Sequence, residues 1–318
     1  MRVAVITQGI SNVFESIVES GHEVVGIVEC APAQEPNSFL RTIGGVFTGI
    51  YYSLTLNPLN LKIFSRKLKI PYYYLRKEDN EGLEKWMKDL QPDLIIVYSM
   101  SHLLKEDVFR IPKLGTINVH YSHLPEYRGP APLFWEYYDY VLNPGVTVHY
   151  IDKGEDTGDI ISQDRIFVSP GEKLDEVNRK LSLMGIKLLS KIMDAMEKGN
   201  IPRVKQSVTT PTVRARKIEP HEYSELIRWN EWDVERVYHF LSGTPKYHHT
   251  LLKKASLHKL GFTIKILGKE KCNISGYRVG ELYKENSKRF FVCKNGKIYV
   301  DITLSLASFL SWIYPYIS

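Results

Sequence analysis

The chain has 318 residues, 43% of them hydrophobic and 25% charged, which is an ordinary globular composition with room for two domains and a sizeable core. Its three cysteines, Cys30, Cys272 and Cys293, show no paired spacing, so neither a disulfide framework nor a zinc pattern follows and a reducing compartment is expected. The formal net charge of +6 is uneven: residues 215–318 hold 17 Lys+Arg against 10 Asp+Glu, which fits either a polyanion partner or a solvated lysine-rich surface.

The first residues lack the apolar core of a signal peptide, and no uninterrupted apolar run reaches ~18 residues. A soluble, cytoplasmic protein with no membrane role is expected. Residues 2–7 read as a buried parallel strand. Gly9 turns the chain, Val13, Ile17 and Val18 give a short helix its apolar face, and Glu23–Val28 form the next strand. This βαβ opening predicts an α/β fold with a doubly wound, Rossmann-like, mostly parallel sheet. The glycine fingerprint of dinucleotide binding is absent, so no such cofactor is inferred. Residues 31–61 are apolar and aromatic, with only Glu35 and Arg41 charged. Gly44-Gly45, Gly49 and Asn57-Pro58 argue against one long helix there. The segment reads as substrate-side cover or a subunit contact, which leaves a homodimer open.

The βα rhythm then resumes with a helix over 62–68, a strand over 71–75, and a helix over 80–90 with Leu83, Trp86, Met87 and Leu90 on one face. Asp93–Tyr98 is a central strand, and Ser99–Leu103 lies just past its C-terminal end. In open α/β sheets ligands bind at that rim. In the apolar run from Ile117, Asn118 and His120 are two residues apart, so a strand places both on one face. Pro125, Arg128, Gly129 and Pro130 stop the strand and force a turn. An amide can donate to a developing oxyanion, an imidazole can relay a proton near neutral pH, and a carboxylate such as Asp156 can orient that imidazole. Together these suit attack on a carbonyl.

A helix is read over 132–142 and a strand over 146–151, where His149 is expected to be a hydrogen-bonded structural residue. Gly158 permits a tight turn beside Asp156, and another strand covers 159–168. The longest helix starts near Ser169, with Leu174, Val177, Leu181, Met184, Leu188 and Ile192 forming its core face. A polar stretch follows, and the predicted division is a catalytic domain over 1–207, a linker over 208–220 and a β-rich C-terminal domain over 221–318. In that last part a helix is read over 231–241 and strands over 249–257, 261–267, 275–283, 288–293 and 297–304, with Lys294-Asn-Gly-Lys297 as a hairpin signal. The apolar 304–317 needs cover in a core or an interface.

The combination Asn118-Val-His-Tyr-Ser-His-Leu-Pro-Glu-Tyr-Arg-Gly129, Gly145-Val-Thr147 and Asp156-Thr-Gly158 resembles the formyltransferase family that uses 10-formyltetrahydrofolate. His123 departs from the usual Leu of that pattern. The resemblance implies that Asn118, His120 and Asp156 are catalytic and that no metal is needed. It places Ser99, Met100 and Leu103, with the Asp152 and Gly154 loop, on the folate side. Ser122, Tyr127 and Arg128 are expected on the acceptor side, where Arg128 either meets an anionic group or locks its own loop. The C-terminal part is weakly similar to the small OB-like barrel of methionyl-tRNA formyltransferases and some sugar formyltransferases. Their Trp-Pro-Gly-Ala is replaced nearby by Gly243-Thr-Pro-Lys-Tyr247. That replacement, the non-basic 31–61 and the strand around His149-Tyr150 favour a nucleotide-linked amino sugar as acceptor. The basic C-terminal part leaves initiator tRNA as the alternative, and an inactive binding module is a third reading.

Overall fold

The structure, a computed structural model, describes residues 1–31, 60–76, 79–100, 102–199, 201–245, 248, 251 and 262–304. Nearly all of segment 31–61, most of the strand expected at 249–257, and the apolar 305–317 lie outside the described residues. The chain forms two compact units, one from Met1–Pro132, Pro144–Ile166 and Arg179–Ala215, the other from Leu133–Asn143, Phe167–Asn178 and the residues from Arg216 onward.

The first unit is built on a seven-stranded sheet. Its strands are β1 (Arg2–Thr7), β2 (Glu23–Cys30), β3 (Tyr72–Leu75), β4 (Leu94–Tyr98), β5 (Thr116–His120), β6 (Gly145–Tyr150) and β7 (Ile160–Arg165), in the order β3-β2-β1-β4-β5-β6-β7. The first five are mutually parallel, and β6 and β7 are antiparallel additions. Strands covered on both faces are continuously apolar, and Val3–Ile6 and Leu94–Val97 are buried throughout. The crossovers carry α1 (Asn12–Val18), α2 (Leu61–Leu68), α3 (Asn80–Leu90) and the single turn α4 (Glu106–Phe109), which the sequence reading did not find. Local chemistry sets their ends: the Ser11 and Asn60 side chains accept the backbone N–H of Phe14 and Ile63, capping α1 and α2. Leu83 and Met87 of α3 bury with Ile6, Val28, Leu75 and Val97 in one cluster, against which Met100 and Ile151 also pack. The long helix, numbered α6 here (Leu174–Glu197), covers the far end of the sheet, where a Cβ added at Gly185 would lie 3.2 Å from Val119 of β5. Among the described residues no helix is long and apolar enough to cross a membrane.

The second unit has a four-stranded antiparallel sheet, β8 (Phe262–Lys271), β9 (Leu282–Glu285), β10 (Lys288–Cys293) and β11 (Gly296–Leu304), in the order β8-β11-β10-β9. Cys293 pairs with Gly296 across the turn that Asn295-Gly296 marked in the sequence. The strand expected over 275–283 is instead a turn region followed by the short β9. Asn273 accepts the N–H of Ser275 with its own side chain, and Gly276 and Gly280 have φ of 89° and 81°, so the backbone there curls away from the extended range. Helix α7 (Val234–Gly243) buries Val237, Phe240 and Leu241, and Phe290, Phe291, Val292, Ile298 and Val300 complete the core, where Trp229 stacks on Phe291. Helix α5 (Pro132–Tyr138) is shorter than the 132–142 expected, because Tyr140 takes a φ of 61° that no continuing helix allows.

One buried group in this unit ties its stability to pH. His239 of α7 has no solvent exposure, stacks on Tyr137 with ring centroids 4.4 Å apart, and accepts the N–H of Gly171 at Nδ1. Burial lowers its pKa from 6.5 to about 4. The folded state therefore holds it neutral where the unfolded chain would bind a proton, so stability is intact above pH 6.5 and falls as the pH drops toward 4. The expected loss across that window is on the order of 2–3 kcal/mol. Urea unfolding at neutral and acid pH should show His239→Phe losing less stability over the same window than the parent does.

Candidate active site

The pairing register of β5 with β6 assembles the site. Asn118 lies opposite His149 and His120 opposite Thr147, and Asn118 and His120 are two apart, so all four side chains share one face of the sheet. Thr147 Oγ1 donates to Ser122 O and accepts the N–H of Leu124, which pins the chain as it leaves β5. The fifth participant comes from the loop between β6 and β7. Asp156 sits there at φ 54°, a left-handed conformation that costs a non-glycine residue about 1 kcal/mol. Gly158 lets this loop close, because a Cβ there would lie 1.9 Å from the carbonyl oxygen of Tyr150.

The mostly buried Asp156 carboxylate joins the set. Its Oδ2 accepts the N–H of Gly129 at 2.9 Å and faces His120 Nδ1 at 3.6 Å. Its Oδ1 accepts from Asn118 Nδ2 at 3.4 Å and lies 3.5 Å from His149 Nε2. Burial by itself raises the pKa of this carboxyl, but the imidazoles of His120 and His149 and the Gly129 N–H overcome that and hold it well below the usual carboxylate range. Asp156 is therefore ionised at neutral pH. His120, 7% exposed, is pushed down by burial, opposed by the charge of Asp156. Its Nε2 lies 3.2 Å from Tyr127 O and its Nδ1 3.6 Å from Asp156 Oδ2, both atoms that only accept, so the charged ring can donate to both and the neutral ring keeps its hydrogen on the nearer, Tyr127 O. The same logic fixes His149: Nδ1 donates to Tyr150 O at 2.8 Å, which leaves Nε2 to accept from Asn118 Nδ2 at 3.2 Å. Both hydrogens of the Asn118 amide are thus taken by acceptors, and the amide has one orientation. The sequence identified His149 as hydrogen-bonded; the structure adds that its partner is the candidate catalytic Asn118.

The other expected residues are distributed as follows. Ser99 follows β4 with φ 58° and donates to Gln8, Met100 packs on the apolar cluster below, and Leu103 is 60% exposed at the same rim. Asp152 turns its carboxylate back on its own loop, accepting from Gly154 N and Thr157 Oγ1, and so shapes the stretch that carries Asp156. Ser122 and Tyr127, expected on the acceptor side, are buried. The Ser122 hydroxyl donates to Glu126 O, and Tyr127 serves through its backbone, with its N–H on Thr212 and its carbonyl on His120. No solvent face remains for Ser122 to offer a ligand. Arg128 directs its guanidinium at Gln206 and the carbonyls of Ser207 and Val208, which are loop-locking contacts. His123 is hydrogen-bonded to Gln163 of β7 at 2.6 Å.

Sequence reasoning missed the segment 204–215. Val204 pairs with Ile160, Thr210 donates to Pro125 O, and Ala215 exchanges backbone bonds with Arg128 and Ala131. Arg214 clamps Glu155 at 2.5 and 2.7 Å. Gln206 donates to the carbonyls of Asp156 and Gly158 while accepting from Arg128. Its Thr-Pro-rich composition reads as linker; only the lone glutamine and Arg214 hinted at partners.

The family profile described as formyl transferase matches residues 57–193, which contain Asn118, His120, Thr147, His149 and Asp156. The methionyl-tRNA formyltransferase of Pelotomaculum thermopropionicum is 29% identical over 216 residues, 68% of this chain and 63% of the relative. That of Clostridioides difficile is 31% identical over 61% of this chain and 58% of its own length, so the chain matches under two thirds of these relatives. The corresponding protein of Azobacteroides pseudotrichonymphae is 27% identical over 91% of this chain and 82% of its own. Among solved structures, WlaRD, a sugar 3N-formyl transferase crystallised with dTDP and 5-N-formyl-THF, superposes with a TM-score of 0.61 over 96% of this chain and 99% of that one, at 14% identity. HypX from Aquifex aeolicus in complex with tetrahydrofolic acid gives 0.53 at 12% identity, covering 98% of this chain and 47% of its own. At those identities the likeness concerns the fold alone. The profile match over residues 57–193 and the sequence relatives that extend it thus make the central part of the chain similar to formyl transferases.

Proposed function

We propose that the protein transfers a formyl group from 10-formyltetrahydrofolate to a primary amine, with Asn118, His120 and Asp156 as its catalytic residues. The observation that carries this reading is the ionised Asp156 carboxylate held between Asn118 Nδ2, His120 Nδ1 and the Gly129 N–H. An amine that attacks a formyl carbon builds negative charge on the formyl oxygen and must shed a proton. Asn118 supplies the donor for that oxygen. Of its two N–H bonds, the 3.4 Å one to Asp156 is the weaker and is the one to exchange. His120 Nδ1 takes the proton from the attacking nitrogen, and Asp156 then gains a charged N–H donor as it gives up the amide; as the bond from the formyl carbon to N10 breaks, the proton passes to N10 and tetrahydrofolate leaves. The exposed Leu103, with Ser99 and Met100 beside it at the C-terminal rim of β4 and the Asp152–Gly154 loop, fits an apolar ring edged by backbone polar groups. That rim is our candidate for the folate side. Tyr127 and Arg128 shape the acceptor side through the turn they build.

The names of the curated relatives support methionyl-tRNA as the acceptor, ahead of the amino sugar that the sequence alone favoured. The exposed Lys265, Lys269 and Lys271 on β8 and the basic C-terminal composition are compatible with a tRNA backbone. The nucleotide-linked amino sugar stands as the second reading on two observations: residues 31–61 carry only Glu35 and Arg41, and the Trp-Pro-Gly-Ala of the tRNA enzymes is missing.

Asn118→Ala should retain its fold and lose on the order of 10²–10³ in kcat, read as tetrahydrofolate release; normal turnover would remove Asn118 from the mechanism. Because burial lowers the His120 pKa from 6.5, the acid limb of kcat/KM should lie below pH 6.5. A limb above that value would mean a different base. Offering initiator methionyl-tRNA and a panel of nucleotide-linked amino sugars in parallel decides the acceptor. Turnover with tRNA should weaken steeply with salt as counterions are displaced, whereas turnover with a sugar alone would reverse the ranking.

A further inference from the structure

Asp156 does not hold its own place. Its left-handed backbone is disfavoured, and its carboxylate is aimed by a loop that must stay closed against the 125–131 turn. Among the described residues, one side chain bonds both of these loops through a single group. The amide of Gln206 donates to Asp156 O at 3.0 Å and to Gly158 O at 2.6 Å, while its oxygen accepts from Arg128 Nε at 3.3 Å and Nη2 at 2.8 Å. Arg128 continues to Ser207 O at 2.8 Å, and the next residue, Gly129, donates its N–H to the Asp156 carboxylate. The second link on this loop, Arg214 to Glu155, is an exposed ion pair and correspondingly weak.

We propose that Gln206 is a positioning residue of the active site, whose amide ties the Asp156–Gly158 loop to the Arg128 turn and so sets the distance from Asp156 to His120 and Asn118. The polarity of the amide is what the place requires. Two carbonyls demand a donor and a guanidinium demands an acceptor, from one planar group of this length. A carboxylate would point oxygen at oxygen toward Asp156 and Gly158, and an apolar chain of equal volume would bond neither side. The role rests on the reading of Asp156 and His120 as catalytic, but the geometry it predicts can be read without catalysis.

The test uses Gln206→Met and Gln206→Glu in the full chain, with thermal melts to establish folding. Three readouts are taken: kcat, KM, and the titration of His120 by NMR on histidine-labelled protein, assigned by the signal that His120→Asn removes. The groups that act on His120 are Asp156 and Glu155, which favour its charged form, and His149, which opposes it; Arg214 holds Glu155. If Gln206 positions Asp156, kcat falls on the order of tenfold or more with little change in KM, and the His120 midpoint moves to lower pH as the carboxylate withdraws. Folded variants with parental kcat and an unmoved His120 midpoint would overturn the proposal. So would failure of both variants to fold, which would make Gln206 a structural staple. Should the parent release no tetrahydrofolate with any acceptor, the functional reading fails, and the His120 midpoint alone still decides whether Gln206 sets Asp156.

Discussion

A carboxylate removed from water must be compensated, and the first unit meets this demand at Asp156 with partners drawn from three separate places. Asn118 comes from β5, and the Gly129 N–H comes from the turn that follows that strand. The imidazoles come from β5 and β6. Of these elements only β6 is adjacent to Asp156 in sequence. The sheet register, the turn and the 204–215 segment therefore all bear on the strained backbone of that loop. The order of the site is a property of the assembled unit rather than of the 118–129 stretch alone.

The antiparallel pairing of β5 and β6 sets the register of this assembly. The antiparallel partner brings His149 directly opposite and returns the chain to the β5 end within one loop. That loop delivers Asp156 only seven residues after His149. The tautomer of each imidazole then follows from a backbone carbonyl, Tyr127 O for His120 and Tyr150 O for His149, so the proton positions are written into main-chain geometry.

The parts legible in the sequence are those with local periodicity. The βα rhythm, the apolar faces of α3 and α6, the hairpin at Asn295-Gly296 and the shared face of Asn118 and His120 all arise from spacings of two, three or four residues. What was not legible depends on contacts between distant positions. His149 shows its role only through the register of β6, and Gln206 only through two loops some fifty and eighty residues earlier in the chain. Ser122 and Tyr127 lie inside a motif dense with polar residues, and only burial reveals that they build the turn instead of facing a ligand. The stretch 275–281 carries strand-like residues, but two glycines with positive φ and the Asn273 side chain hold it in turns.

The path of residues 204–215 has a consequence for dissecting the protein. By composition, a convenient place to cut is after Ser207, where the Thr-Pro-rich stretch begins. A fragment ending there would keep Asn118, His120 and Asp156, yet it would lose the bond from Thr210 to Pro125, the bond from Thr212 to Tyr127, and both backbone bonds from Ala215 to the turn. The smallest fragment that retains the shape of its own site therefore runs to Ala215. A protease that nicked the Thr-Pro stretch could silence the site while leaving every residue of the 118–158 motif intact.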